Sequence, residues 1–360
     1  MKNNYEKCKN LNGRHILIES GGGVGDLIMF TPALRRLKEL YPSCILTFLT
    51  IDKTVDVINR IPYIDKVICI KRGRFMGRYR VVPELLKQDY FVFTEWQPQL
   101  LFCAWLLHLP NRFSVPRLGN PLTKTLHKYI TDIVSKDVGF AAKTNARLIS
   151  IVSKDVGFAA KTNARLISKA LDIHLDGDMT HCDVSMPNKE EQKEVDLLLQ
   201  NIGIHKNDDF IALSPFTSAE GRDWPLSEAK KLVQMIQEKY QLPVVLIGNK
   251  DKDVSKVSKY SLLKKTSIIQ LIEVIRRSKC LVSPDSGPVH IAGALNVPCV
   301  ALFSRDLPSR WAPKYNCYPI YLHYDCSPCE SETFNNCPYQ LKCIRNITAE
   351  MVMETLKLIL

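Results

Sequence analysis

The sequence predicts an α/β protein made of two doubly wound parallel sheets. Short apolar runs alternate with helical stretches along the chain, the pattern of successive β–α–β units. The runs are continuously apolar, as expected of parallel strands covered on both faces. The chain has 360 residues, 46% of them hydrophobic, which suits two domains with sizeable cores and excludes disorder.

In the first half, strands are expected at His15–Ser20, Ile45–Thr50, Lys66–Ile70, Tyr90–Trp96 and Arg112–Val115. In the second half they are expected at Phe210–Pro215, Pro243–Gly248, Cys280–Asp285 and Pro298–Ser304. A helix is expected over Leu27–Tyr41, with Pro32 early and Pro42 ending it. Others are expected over Val289–Leu295 and, capped by Thr348, over Ala349–Leu360. Residues 176–188, DGDMTHCDVSMPN, are polar and contain Gly and Pro, so the linker falls there. The expected domains are 1–180 and 181–347, followed by the helical segment 348–360.

Residues 133–150 and 151–168 are identical, IVSKDVGFAAKTNARLIS in tandem. An insertion of this length is five helical turns at about 3.6 residues each, so it keeps one face toward the core. Ala160, Ala164, Ile167 and Leu171 share a face, which puts a helix in the second copy. Gly139 and Gly157 oppose one unbroken helix. The extra copy is expected to be a surface helix or loop outside the site.

Two corners carry the candidate chemistry. Leu281-Val282 runs into Ser283-Pro284-Asp285-Ser286-Gly287-Pro288 and then a helix. A strand that opens a helix through small residues presents backbone N–H groups and the positive helix end, an anion site. Asp285 adds a carboxylate where open α/β sheets bind ligands. The alternative is an ordinary β–turn–α corner with a capping Asp or Ser. The other corner is Gly21-Gly22-Gly23-Val24-Gly25-Asp26, between a strand and a helix. It is not G-x-G-x-x-G in frame, and the chain contains no G-x-x-x-x-G-K-[ST]. Asp26 would repel a phosphate and suits a general base. It is equally a first-turn acid that offsets the helix dipole.

These corners resemble a known family. Gly23-Val24-Gly25-Asp26 with Thr31-Pro32-Ala33-Leu34-Arg35 is similar to the N-terminal signature of glycosyltransferase family 9, which contains the ADP-heptose:lipopolysaccharide heptosyltransferases. Asp285-Ser286-Gly287-Pro288-Val289-His290-Ile291-Ala292 resembles its C-terminal signature, D-T-G-x-x-H-x-A. Arg222 with Trp224-Pro225 resembles a basic-x-Trp-Pro segment, and Arg310-Trp311-Ala312-Pro313 a later Trp-x-Pro. The matches keep the family's order over residues 15–313. The resemblance implies the GT-B architecture, two Rossmann-like domains facing a cleft, with acceptor bound by the first and nucleotide sugar by the second. Chains of that architecture often return a last helix to the first domain.

The implied reaction is inverting, metal-independent transfer from a nucleotide sugar, ADP-heptose, to a lipopolysaccharide core sugar or another glycan, with no cofactor required. Asp26 matches the family's catalytic Asp, on a turn whose Gly23 and Gly25 allow close approach. Thr217, Ser218 and Arg222, with backbone N–H groups of Ser286 and Gly287, are candidates for the donor diphosphate. Arg222 stands where the family usually has lysine, and the two are not equivalent. Asp285 is the candidate for sugar hydroxyls. His290 either orients the loop or is a structural histidine, and Asp251 is a candidate for the ribose. Asp176-Gly177-Asp178 resembles a D-x-D metal motif but sits in the linker and reads as a turn. A GT-B nucleotide-sugar 2-epimerase and a non-catalytic glycan- or nucleotide-sugar-binding module are the alternatives.

The net charge of +12 favours anionic partners. Residues 71–80, KRGRFMGRYR, hold five basic side chains with Phe75 and Tyr79 between them. They read as a solvated loop or as a patch for acceptor phosphates or a membrane surface. Nucleic acid is not expected, since no recognition motif surrounds them. The polar N-terminus has no signal-peptide core. The longest apolar run, Leu100 to Leu107, is far short of the roughly 20 residues a span needs. A cytoplasmic protein is expected, peripheral on the inner membrane's cytosolic face, with a nucleotide sugar and an anionic glycolipid or glycan as partners. Cys44, Cys69, Cys280 and Cys299 read as buried free thiols. Cys326, Cys329, Cys337 and Cys343 form C-x2-C-x7-C-x5-C, either a structural zinc or iron site or unligated thiols.

Overall fold

The computed structural model describes residues 9–20, 22–52, 54–70, 79–94, 98–114, 158–218, 221–329 and 337–360. The chain divides into two compact units, Met1–Cys182 and Asp183–Leu360. The basic run over 71–78, Trp96, Val115, Val156 and the first tandem copy lie outside the described residues.

The first unit holds β1 (His15–Glu19), α1 (Val24–Ile28), α2 (Thr31–Leu40), β2 (Ile45–Ile51), α3 (Val55–Ile58) and β3 (Lys66–Ile70). It continues with α4 (Val82–Leu85), β4 (Tyr90–Phe93), α5 (Pro98–Leu106), β5 (Arg112–Ser114) and α6 (Ala159–Leu171). The sheet order is β3-β2-β1-β4-β5, all parallel. Leu17, Leu49, Phe91 and Phe93 pack on Leu100 and Leu101 of α5. On the other face α6 packs against α2, where Ala160, Ala164, Ile167 and Leu171 are buried.

The expected single helix over Leu27–Tyr41 is two helices. Pro32 has no N–H with which to continue the ladder, and the Thr31 hydroxyl instead donates to the Ile28 carbonyl at 2.7 Å. Cys69 is exposed, not buried, because β3 is the edge strand of its sheet. Phe158, in the second tandem copy, is buried at 4% exposure and caps α6. The described part of that copy, residues 158–168, thus belongs to a helix whose shared face of Ala160, Ala164, Ile167 and Leu171 is turned to the core, as the sequence leads one to expect.

The second unit holds α7 (Lys189–Gln200), β6 (Ile211–Leu213), α8 (Leu226–Tyr240), β7 (Val244–Leu246), α9 (Ile268–Arg277) and β8 (Cys280–Pro284). It continues with α10 (Gly287–Ala294), β9 (Cys299–Phe303), α11 (Pro308–Trp311), β10 (Cys317–Tyr321), α12 (Lys342–Arg345) and α13 (Ala349–Leu356). The order is β10-β9-β8-β6-β7, again all parallel. Capping boxes at Asn188 and Ser267 start α7 and α9, satisfying orphan N–H groups. Strand β10 was not anticipated. It is an edge strand carrying Pro319 and is only half-buried, so it lacks the apolar run that marks the others.

One face of this sheet, with Ile211, Leu213, Val282 and Val300, packs on α8 and on Val352, Met353 and Leu356 of α13. The apolar face of the last helix is thus taken up by its own unit.

Candidate functional site

In each sheet the strand order reverses direction once. The reversal falls between β1 and β4 in the first unit and between β6 and β8 in the second. Loops leaving the carboxyl ends of such strands diverge and leave a crevice for a ligand. The candidate residues follow β1 in the first unit, and β6 and β8 in the second.

In the first unit Asp26 stands in the first turn of α1 and is half-buried. Its Oδ2 accepts the Gly23 backbone N–H at 2.8 Å, the one half of a capping box that is open to a helix whose N-cap is glycine. Asp26 is thus a first-turn acid of α1, and its bond to Gly23, which the sequence reading did not include, fixes the carboxylate in one place. Gly22 makes this possible. A Cβ at residue 22 would stand 2.6 Å from Asp26 Cβ and 2.8 Å from its Oδ2, closer than atoms approach. Gly23 is exposed beside it, and Gly25 lies within α1.

In the second unit Trp224 organises the loop after β6. It is 1% exposed, its ring N–H donates to the Ile347 carbonyl at 2.8 Å, and its backbone N–H donates to the Pro215 carbonyl at 2.8 Å. This anchors the ends of a loop that carries Thr217, Ser218 and Arg222. Thr217 is buried, and its N–H donates to Asp223 Oδ1 at 2.8 Å. Asp223 Oδ2 accepts from Lys250 at 2.6 Å. Ser218 is exposed.

Arg222 lies between two carboxylates. Its Nη1 is 3.9 Å from Asp285 Oδ2 and 4.0 Å from Asp306 Oδ2, and it donates to the Asp285 carbonyl at 3.5 Å. Its Nε is buried without a hydrogen-bond partner among the described residues. These contacts are long, and a guanidinium so loosely held has donors to give an incoming anion.

Ser286 is the N-cap of α10 and gives the helix no side-chain cap. Its hydroxyl turns back to the Pro284 carbonyl at 3.0 Å. The start of α10, with Gly287 as its first residue, therefore presents its N–H end without the usual side-chain acceptor. Asp285 is 8% exposed and His290 5%. His290 Nε2 is 3.8 Å from Asp285 Oδ1, and its ring stands edge-on to Trp311 at 6.1 Å. Burial, and secondarily the Arg222 charge, push the His290 pKa down to about 4. The imidazole is therefore neutral at physiological pH, and its contact with Asp285 is not an ion pair. The buried Nδ1 has no hydrogen-bond partner among the described residues.

The second unit thus gathers Thr217, Arg222, Asp285, Ser286, Gly287 and His290 around the ends of β6 and β8. Asp251 is different: its side chain is 88% exposed and pairs with Lys264 at 2.9 Å. Asp176 and Asp178 have separate partners. Asp176 pairs with Arg36 at 3.1 Å. Asp178 is held near 2 by Thr180 first and then His181, as in a local turn. Asp306, Lys250 and Asp223 were missed by sequence reasoning. The available signal was position, since Lys250 and Asp306 follow β7 and β9 at the carboxyl edge, but single charges carry no motif.

Burial, then the thiols of Cys326, Cys337 and Cys329, push the Cys343 thiol up. Among the described residues, however, no group of three or more potential ligands is arranged to hold a metal ion. No catalytic step is assigned to a metal there. The segment also braces the end of β9, since Cys329 N–H donates to the Arg305 carbonyl at 2.9 Å.

Two Rossmann-like sheets with these corners define a protein of the GT-B class, and comparison with known proteins agrees. The profile of glycosyltransferase family 9 (heptosyltransferase) matches residues 148–340. Lipopolysaccharide heptosyltransferase 3 of Escherichia coli K12 is 20% identical over 306 residues, 80% of this chain and 82% of that one. A family 9 glycosyltransferase from Veillonella parvula superposes with a TM-score of 0.77 at 17% identity, covering 98% of each chain. E. coli ADP-heptose lps heptosyltransferase II superposes at 0.68 and 18% identity, over 96% and 98% of the two chains. The iron-containing heptosyltransferase TibC of enterotoxigenic E. coli, solved with ADP-D-β-D-heptose, superposes at 0.59 and 14% identity, over 98% of this chain and 77% of its own. The chain belongs to glycosyltransferase family 9 and is a glycosyltransferase.

Proposed function

We propose that this enzyme transfers a heptose from ADP-heptose, with inversion and without a catalytic metal, to a lipopolysaccharide core sugar on the cytoplasmic face of the membrane. Asp26 takes the proton from the acceptor hydroxyl. The acceptor oxygen bonds to the anomeric carbon as the bond to the diphosphate oxygen breaks. The departing charge falls to Arg222, Thr217, Ser218 and the N–H groups of Ser286 and Gly287. Asp285 holds sugar hydroxyls, neutral His290 supports Asp285, and Asp251 is a ribose contact.

The observation that carries the reading is the loosely held Arg222 beside the uncapped start of α10 at the reversal point of the second sheet. The names of the relatives supply the sugar, the nucleotide and the acceptor class. The reading assigns Cys326, Cys329, Cys337 and Cys343 no catalytic step. A zinc or iron held by these sulfurs would be structural, which metal analysis of purified protein addresses separately. Peripheral attachment rests on the +12 charge and on the absence, among the described residues, of a helix able to cross a membrane.

The test is incubation with ADP-, GDP- and UDP-sugars, with and without a delipidated core oligosaccharide, followed by mass spectrometry. The reading expects nucleotide release and a heptose-extended product from ADP-heptose, only with acceptor present. An altered sugar from donor alone would establish a 2-epimerase instead, and binding without turnover a non-catalytic module.

A further inference from the structure

We infer that the outer face of α5 in the first unit docks onto an anionic lipid bilayer. The inference rests on the reading that the acceptor is membrane-anchored, and it assigns the surface that meets the membrane.

Helix α5 is apolar on nearly all sides, Gln99 in its first turn being the exception. Leu100, Leu101 and Ala104 face the core. Phe102, Trp105 and Leu106 occupy the opposite face at the i, i+3, i+4 spacing that aligns side chains on a helix. They are 47%, 41% and 57% exposed, and Leu107 just beyond is 39% exposed. A helix apolar all round is normally buried on all sides, and this one is not. It is also far too short to span a bilayer. The combination suits a helix that lies in the interface with one face among the lipids.

Two further features favour a bilayer. Phe102 and Trp105 stack as a tilted pair with ring centroids 5.6 Å apart, and Trp concentrates at the headgroup level of membranes. Next to them opens a depression of about 520 Å³ lined by Trp105, Leu106, His108, Leu109, Pro110 and Arg112 among others. The surroundings are basic. Helix α4, which packs on α5, is followed by exposed Leu86 and by Lys87. Lys87 and Lys66 share the single carboxylate of Glu84, at 3.1 and 2.6 Å, leaving a surplus cation. Arg80 and His108 are exposed nearby in the chain. An apolar face with surplus positive charge on the neighbouring helix complements acidic headgroups over an acyl layer, whereas a second copy of the same face would oppose like charges.

The experiment is co-sedimentation of the intact enzyme with vesicles of phosphatidylethanolamine and phosphatidylglycerol, and with neutral phosphatidylcholine vesicles. Leu106→Glu and Phe102→Ala are compared with Leu358→Glu, which alters a 72%-exposed apolar residue in the second unit. Wild type and Leu358→Glu should bind the anionic vesicles. Leu106→Glu should bind them at least about tenfold more weakly, Phe102→Ala should weaken binding in the same direction, and thermal midpoints should be near wild type. Turnover of the soluble oligosaccharide should be unchanged in all, which separates this inference from the proposed reaction: a failed reaction would show as no turnover in any variant. Wild-type enzyme that ignores anionic vesicles, or a Leu106→Glu variant that binds them equally well, would overturn the inference. So would a Leu106→Glu variant whose only change is loss of a dimer by light scattering.

Discussion

Replacing Arg222 by alanine should weaken donor binding far more than it weakens the fold. The native ion pairs of Arg222 are at 3.9 and 4.0 Å, and its hydrogen bond to the Asp285 carbonyl is 3.5 Å long. Contacts at that limit contribute little, so the stability loss should be under about 1 kcal/mol. A charge-assisted contact to a diphosphate is worth about 1.5–3 kcal/mol. That corresponds to a rise of roughly 10- to 150-fold in donor Kd by isothermal titration. Lysine, the family's usual residue here, should restore binding to within about tenfold, because it returns the charge without the planar fork. His290 gives an independent readout. Arg222 is the lesser of the two causes that depress its pKa, after burial. In Arg222→Ala the His290 value, followed by NMR, should rise above about 4 yet stay below that of an exposed histidine. Unchanged donor affinity with an unchanged rate would place Arg222 outside the site. A loss of affinity matched by a large drop in thermal midpoint would mean that the loop had collapsed, and would refute the phosphate assignment.

Three other outcomes are expected. Gly22→Ala should depress turnover at least about tenfold while sparing the fold, because its Cβ would displace the Asp26 carboxylate; a wild-type rate would show that this placement is unimportant. Turnover should survive EDTA, and loss restored by magnesium or manganese would contradict metal-independent transfer. Deleting residues 151–168 should leave a folded, active enzyme, checked by thermal midpoint and turnover. The two copies are identical, so the remaining one can supply the buried face of α6, and an insoluble product would show that both copies are needed.

Much of the fold was legible because its strands are buried on both faces and so read as short apolar runs. Their centres are right, although ends such as Ser20 and Pro215 lie beyond the ladders. The exceptions share a cause. Strand β10 and Cys69 lie at sheet edges, where one side faces solvent and the hydrophobic signal fades. The break between α1 and α2 is hard to read from sequence because a proline fits the first turn of a helix, and Pro32 is in the first turn of α2 rather than of one long helix. At the site, the corners at Asp26 and Asp285 announce themselves through glycine and small residues. Trp224 was visible as a motif, but its role as the buried anchor of the Arg222 loop depends on Ile347, far along the chain. Asp306 and Lys250 become visible only once the sheet order brings the ends of β9 and β7 beside those of β8 and β6. The capping bond that fixes Asp26 requires the backbone of Gly23 to be in place.

The central claim is that Asp26 is the base of a glycosyl transfer, and Asp26→Asn tests it most directly. The amide keeps the size of the carboxylate and can still accept the Gly23 N–H, so the cap on α1 survives while the base is lost. Turnover of ADP-heptose with the soluble oligosaccharide should fall by about 10²- to 10⁴-fold, with donor affinity by isothermal titration within a few fold of wild type. Turnover like that of the wild type, with donor affinity unchanged, would contradict the account.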